Sequence, residues 1–392
     1  MQQNVLELKI YRNSCHQWVY KKMVNIPRKG FNRVVITRVV DKAGVFAGIG
    51  IFNPDSTVAI RFLTNNDESV DRAFFYKRLA GLKRLKENIL GLAFNSDCYR
   101  LVHSESDGLP GLIIDKFNDY IMIKPYCAGY GGEIMEFIAS SLSELYAGVK
   151  IMVVPDEKSC AKDGADYRAE MKKYYAGRAR AEINEFGVKF AVDFEFGQKT
   201  GFFLDQRVNR EKIGSLGRDA HVLNCFAYTA AFSVYCAEGG AKKVVSLDIS
   251  KTACVAARKN LHLNWFSVEN YPVIETDVFD YFRHTPENYN MIILDPPAFA
   301  KTKRDVPKAA RGYKDINLQA IKHLSKGGML ATLSCSNFIE EDLFYKIVLG
   351  AARDAGAELQ LLSRLDAGPD HPVAFGHPEG RYLKGLLLVK RN

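Results

Sequence analysis

No apolar stretch in this chain approaches the roughly 20 residues that a membrane-spanning helix needs, so an integral helical membrane protein is not expected. The opening Met1-Gln2-Gln3-Asn4-Val5-Leu6-Glu7 has neither the basic start nor the apolar core of a secretion signal, which makes a cytoplasmic location the expectation. The eight cysteines (Cys15, Cys98, Cys127, Cys160, Cys225, Cys236, Cys254 and Cys335) include no Cys-x-x-Cys pair, and no histidine cluster stands at ligand spacing. Neither a metal site nor a disulfide framework is therefore expected, and the default for any single cysteine is a small buried thiol. Internal repeats and low-complexity tracts are lacking too.

What the chain does have is length and positive charge. Its 392 residues suffice for two or three domains. The net charge is +9, which favours a polyanionic partner. The excess is uneven: residues 1–72 hold 11 Lys/Arg against 6 Asp/Glu, whereas residues 73–187 hold 16 of each.

Read in order, residues 5–10, 34–40, 45–52 and 57–63 are short β-branched or aromatic runs separated by turn formers, the pattern of a small closed β domain over 1–72. Arg12, His16, Trp18, Lys21, Lys22, Arg28 and Lys29 interleave cations with flat rings there, a mixture that suits RNA. Trp18 serves equally well as a barrel core residue. From residue 70 to about 92 the period becomes helical, with Phe75, Leu79, Leu82, Leu85 and Ile89 on one stripe. Residues 73–187 read as this connecting helix and a central α+β domain, with strands at 99–103, 120–124 and 150–154, a helix at 134–146 and an exposed loop at 158–180. A hairpin opens at 188–196. Strands at 222–226, 244–248, 273–276, 291–295 and 329–335 then alternate with helices at 229–237, 252–263, 278–283 and 315–324, which specifies a parallel sheet. Late strands at 358–365 and 382–390 complete a seven-stranded sheet in an α/β domain over 188–392.

Chemistry gathers where these strands end, because open α/β sheets bind ligands at the carboxyl edge. Asp295, in Asp295-Pro296-Pro297, and Cys335, in Ser334-Cys335-Ser336, close two apolar runs and form a candidate reaction centre. The first strand runs through Asn224-Cys225-Phe226 into Tyr228-Thr229, where small residues and a helix start let a ligand approach the backbone. Asp248 ends the second strand, placed to accept a ribose diol, and Asp277 ends the third, facing an adenine amino group; each can equally be a helix cap. No Gly-x-Gly-x-x-Gly follows the first strand. Without that phosphate cradle a dinucleotide is disfavoured, and S-adenosylmethionine fits better.

Several strings are specific enough to carry a resemblance: 104–111, Lys199-Thr200-Gly201 with Leu204-Asp205-Gln206-Arg207, Asn224-Cys225-Phe226, Asp295-Pro296-Pro297, 311–317, Ser334-Cys335-Ser336 and Asp370-His371-Pro372-Val373. Over nearly its whole length the chain resembles the bacterial 23S ribosomal RNA cytosine-C5 methyltransferases with an N-terminal PUA-type domain. The resemblance implies a Rossmann-like methyltransferase domain over 188–392, S-adenosylmethionine as cofactor, large-subunit ribosomal RNA as partner, Cys335 as nucleophile with Asp295 as general acid, and a homodimer. Cofactor contacts then fall on Lys199, Thr200, Leu204, Arg207, Asn224, Cys225, Phe226, Tyr228, Thr229, Asp248, Ile249, Asp277, Val278 and Asp295. Two departures stand out. Ala230-Ala231 replaces the family's Gly-Gly and crowds the cofactor loop, and Ile183-Asn184-Glu185-Phe186-Gly187 replaces Ile-Glu-Glu-His-Gly.

Two other readings remain. Asp-Pro-Pro also resembles the turn of enzymes that methylate amino nitrogens, although Ala298 is not aromatic and that chemistry needs no thiol. A non-catalytic RNA-binding factor with a decayed pocket is the third.

Overall fold

The computed structural model describes residues 5–12, 16–26, 33–174, 179–195 and 200–392. Within it the chain divides into two compact units. One comprises Met1–Ile183, Val192–Leu204 and Pro369–Gly380; the other comprises Asn184–Ala191, Asp205–Gly368 and Arg381–Asn392. The expected sites at Arg28, Lys29 and Lys199 lie outside the described residues.

The first unit opens with β1 (Val5–Leu8), β2 (Trp18–Tyr20), β3 (Val24–Asn25), β4 (Val35–Val40), β5 (Phe46–Phe52) and β6 (Val58–Thr64). These form one sheet in the order β2-β6-β5-β4-β1-β3. Alternate residues such as Leu6, Leu8, Val39, Phe52 and Ile60 make its core. Helix α1 (Arg72–Lys83) follows, capped by the Asp71 carboxylate on the Phe74 N–H. It continues as a π-helical turn over Arg84–Ile89. Strands β7 (Cys98–His103), β8 (Leu112–Phe117), β9 (Tyr120–Pro125) and β10 (Lys150–Val153) make a second sheet, with α2 (Glu133–Leu145) packed into the same core. The stretch expected as an exposed loop contains α3 (Glu157–Lys162), capped by Asp156, and α4 (Arg168–Tyr174). Their charged, weakly periodic sequences hide helices that are short and lie at the surface. The hairpin is also displaced: β11 (Arg180–Glu185) precedes the turn and β12 (Val188–Asp193) follows it.

In the second unit, β13 (His221–Cys225), β14 (Lys243–Asp248), β15 (Val273–Glu275), β16 (Tyr289–Leu294), β17 (Leu324–Ser334), β18 (Leu359–Leu365) and β19 (Lys384–Lys390) form a seven-stranded sheet, ordered β15-β14-β13-β16-β17-β19-β18. Six strands run in one direction, and β19 alone is reversed, pairing antiparallel with both β17 and β18. Its helices are α5 (Arg207–Ser215), α6 (Ala231–Glu238), α7 (Lys251–Leu263), α8 (Val278–His284), α9 (Val306–Lys322) and α10 (Glu341–Asp354). The central strands are buried on both faces. Leu223, Ile292, Leu294 and Leu330 pack with residues of α9 and α10, including Ile316 and Phe344. Val222, Met291, Ile293, Ala331 and Leu333 pack with Ile213 of α5 and Phe232 of α6. The strand order reverses between β13 and β16, so a ligand cleft is expected at their carboxyl ends.

Candidate active site

Register and alternation bring Asp295 and Cys335 to the same edge of the sheet, Asp295 level with Leu333. In the β16–β17 ladder Leu294 is level with Thr332, so both residues leave the sheet at its carboxyl edge. Met291 and Ile293 face the α5–α6 layer, as do Ala331 and Leu333. Continuing that two-residue period puts Asp295 and Cys335 on this same face. Two contacts agree. Cys335 packs against that apolar cluster, and the Gln206 amide, just ahead of α5, donates to Asp295 Oδ2 at 3.0 Å. Among the described cysteines Cys335 alone is partly exposed, whereas Cys98, Cys127, Cys160, Cys225, Cys236 and Cys254 are buried.

The backbone around the thiol is held from two sides. Tyr313 of α9 accepts from the Ser334 hydroxyl at 3.0 Å and shares a hydrogen bond with Ser336 Oγ at 3.1 Å. Lys384, at the start of β19 and level with Ser334, is buried and donates from Nζ to the Ser336 carbonyl at 2.7 Å and the Ile339 carbonyl at 2.6 Å. Burial brings its pKa down to about 8, against a partly offsetting pull from the Cys335 thiol. A cation that the thiolate stabilises must in turn stabilise the thiolate. Lys384 carries no sequence signal, since it is a single cation at a strand end, far along the chain from Cys335.

The β13–α6 loop is tightly wound. Phe226, Tyr228 and Ala230 all have positive φ (58°, 48° and 59°), a region costly for residues other than glycine. Ala230 forms the N-cap of α6 in this conformation, so a glycine would be at ease there. The Tyr228 N–H donates to Asp248 Oδ2 and the Ser250 N–H to Oδ1, both at 2.8 Å. Asp248 is thus not the helix cap; Ser250 caps α7 by accepting from the Ala253 N–H. Ile249 beside it is exposed. Asp277, by contrast, is the N-cap of α8, accepting from Phe279 and Asp280, and Val278 is buried. Asn224, Cys225 and Thr229 are buried, and desolvation pushes the Cys225 thiol well above its ordinary pKa.

Arg207 lies fully buried, with Nε 3.8 Å from the Glu185 carboxylate and its guanidinium 6.0 Å from the Phe186 ring centre. Glu185 is gripped bidentately by Arg210 at 2.9 and 2.8 Å. The departure at 183–187 therefore leaves one acid, Glu185, as the anchor of two arginines.

Other candidates belong to the first unit. Leu204 is buried, and the buried Thr200 hydroxyl donates to Asp115 Oδ2 at 2.6 Å. That carboxylate also takes Arg100 Nε and Nη2 at 2.6 and 2.9 Å. Asp370 joins in by accepting the Arg100 N–H at 3.0 Å, and His371 lies against His103. Lys21 and Lys22 are exposed. Arg12 stacks on Phe62 and donates to the Ala47 carbonyl. Trp18 is half-buried, points its indole N–H at Glu105 (3.0 Å) and packs on His377, and it is not part of the sheet's apolar core. His16, His377 and Glu379 bring ligand-type atoms within 4.8 Å of one another. His16 Nδ1 accepts the Trp18 backbone N–H, which leaves the ring proton of a neutral His16 on Nε2, facing Glu379 at 3.5 Å.

Residues 171–388 match the model of the S-adenosylmethionine-dependent methyltransferase family, and residues 13–65 match a PUA-like domain. Two curated relatives named ribosomal RNA large subunit methyltransferase I are each 38% identical: one from Tolumonas auensis over 378 residues, 95% of both chains, and one from Aeromonas salmonicida over 385 residues, 96% of both. A crystal structure described as a methyltransferase complexed with SAH shares the fold, with a TM-score of 0.80 and 22% identity, covering 99% of this chain and 100% of its own.

Proposed function

The chain belongs to the S-adenosylmethionine-dependent methyltransferase family, together with the proteins named ribosomal RNA large subunit methyltransferase I, and from that premise we propose that it methylates C5 of a cytosine in large-subunit ribosomal RNA through a covalent adduct on Cys335. The observation that carries this reading is the placement of Asp295 and Cys335 at the carboxyl ends of adjacent strands, on the same face of one sheet. Nitrogen methylation has no use for a half-exposed thiol beside a buried ammonium.

The residues fit the cofactor. The Asp248 oxygens each keep lone-pair capacity for a ribose hydroxyl after accepting one N–H. Exposed Ile249 offers an apolar platform for the adenine, and the wound 226–230 loop brings backbone close. Asp277 serves as a cap first and reaches adenine only through a spare lone pair. When bound, S-adenosylmethionine supplies an electrophilic methyl group. The chain's own residues make the base reactive toward it. Cys335 Sγ adds to cytosine C6 as Asp295, protonated and held by Gln206, donates to N3; C5 then becomes nucleophilic. After methyl transfer a base takes the C5 proton, the C6–Sγ bond breaks with its electron pair returning to sulfur, and N3 gives its proton back to Asp295. Lys384 favours the thiolate at both ends of this sequence.

In this proposal residues 1–72 bind RNA, with Lys21 and Lys22 on their surface, residues 73–187 form the connecting and central domain, and residues 188–392 carry catalysis. Cys335→Ala tests the reading. Methyl incorporation into large-subunit rRNA should fall by at least about a thousandfold, while calorimetric affinity for S-adenosylmethionine stays within about twofold. Retained turnover would exclude the covalent route.

A further inference from the structure

One strongly basic limb springs from the reaction centre and plays no part in the chemistry above. Between Asp295-Pro296-Pro297 and Tyr313 the chain carries Lys301, Lys303, Arg304, Lys308 and Arg311 against the single acid Asp305. All five cations are exposed, and none forms an ion pair among the described residues. Elsewhere in this unit some cations are paired, as in Lys314–Asp354, Lys346–Asp342 and Arg381–Glu341, whereas here five fall within residues 301–311 beside one acid.

Helix stability does not account for the limb. Its cations stand before and within the first two turns of α9, where the helix dipole disfavours positive charge. Asp305 is committed to local structure: its Oδ2 accepts the N–H groups of Lys301 and Thr302, at 3.1 and 2.8 Å, and the Thr302 hydroxyl at 3.0 Å. These bonds hold its carboxyl below the usual carboxylate range.

Both ends of the limb are tied to the residues around the thiol. The Ala300 N–H donates to Ser336 Oγ at 3.4 Å, Tyr313 bonds to Ser334 and Ser336, and Phe299 packs on Tyr313 with ring centres 4.6 Å apart. The cations are thus fastened to the same short segment that presents Cys335. Three residues beyond Cys335, Phe338 is exposed.

Resting on the RNA methyltransferase reading, we propose that residues 301–311 grip the phosphates flanking the target nucleotide, that Phe338 stacks on a neighbouring base, and that the substrate segment is unpaired when it binds. The last part follows from chemistry as well as charge. A thiolate attacks C6 from above the ring plane, and in a stacked duplex that face is covered by the next base. Cations on a limb bonded to the segment that bears an exposed ring are a combination suited to holding single strands.

The test uses the full chain and a fluorescent oligocytidine, alone and annealed to its complement, across about 50–200 mM salt. Wild type should prefer the single strand. The triple variant Lys303→Glu/Arg304→Glu/Lys308→Glu should lose at least tenfold in affinity at the lowest salt. Its slope of log affinity against log salt should be shallower by about 2, as expected for three single-strand phosphate contacts at about 0.7 each. Phe338→Ala should lose about tenfold with the slope unchanged. Unchanged S-adenosylmethionine affinity shows that the variants fold, and the milder Gln triple, with a slope change of the same sign, serves if the Glu triple does not. Wild-type affinity and slope in the triple variants, or tighter binding of the duplex, would overturn the proposal. A wild type that binds through this limb yet leaves large-subunit rRNA unmethylated fails the parent reading and not this one.

Discussion

Lys384 shows how much of a reaction centre can rest on one side chain that takes no covalent part. Its ammonium bridges two carbonyls of the segment that presents Cys335, and burial lowers its pKa to about 8. At neutral pH the group is mostly charged, near a thiol that loses its proton in the proposed mechanism. Lys384→Met should slow iodoacetamide labelling of Cys335 near pH 7 by roughly three- to tenfold and shift the labelling profile to higher pH. Peptide mapping isolates this thiol from the buried ones. Identical profiles would remove Lys384 from the mechanism. The same group makes a second prediction with a fixed sign. Its folded pKa lies below the ordinary lysine value of 10.5, so the native state binds this proton more weakly than the unfolded chain does. The resulting penalty is present in full below pH 8 and released as pH rises toward 10.5. Wild type should therefore gain stability relative to Lys384→Met across that window; a difference that is flat or falls with pH would contradict the assignment.

At the scale of elements, α1 is the most instructive departure from the sequence reading. The apolar stripe predicts Ile89 inside, yet Ile89 is exposed and Lys86 is completely buried. The cause is the π-helical turn, in which the Leu90 N–H reaches the Leu85 carbonyl five residues back. One extra residue in a turn rotates the succeeding side chains by about 100°, and no periodic pattern reports it. Lys86 then meets Asp107 at 3.2 Å and the Asp370 carbonyl at 3.1 Å. With Arg100, Asp115 and Thr200 these residues form a buried polar network, which gives the strings at 104–111 and 370–373 a structural purpose. Asp115→Ala would leave Arg100 buried without its carboxylate and should cost about 3–5 kcal/mol in denaturant unfolding. A loss below about 1 kcal/mol would show the pair to be dispensable. Strands of the large sheet were legible because apolar runs alternate with helical periods at short spacing. Strands as short as Trp18–Tyr20 and Val24–Asn25 offer no alternation to read. At the site, Asp295 and Cys335 were legible as strand ends, whereas Gln206 and Lys384 were not, since their roles exist only once distant strands pair.

Across the whole molecule the excess of nine positive charges is carried in patches, one of them the 1–72 segment and another the limb at 301–311. Affinity for ribosomal RNA should fall steeply as salt rises, through release of counterions from each contacted phosphate. A flat profile would remove residues 1–72 as an RNA-binding arm. The central claim remains a bond between Cys335 Sγ and cytosine C6, and trapping that bond tests it most directly. Wild-type enzyme, S-adenosylmethionine and a large-subunit rRNA fragment carrying 5-fluorocytidine should accumulate a protein–RNA adduct, because fluorine at C5 cannot leave as a proton and elimination stalls. Mass mapping of the digested adduct should place the nucleotide on Cys335. A fragment that is methylated in its unfluorinated form but gives no adduct, or an adduct on another cysteine, would contradict the mechanism.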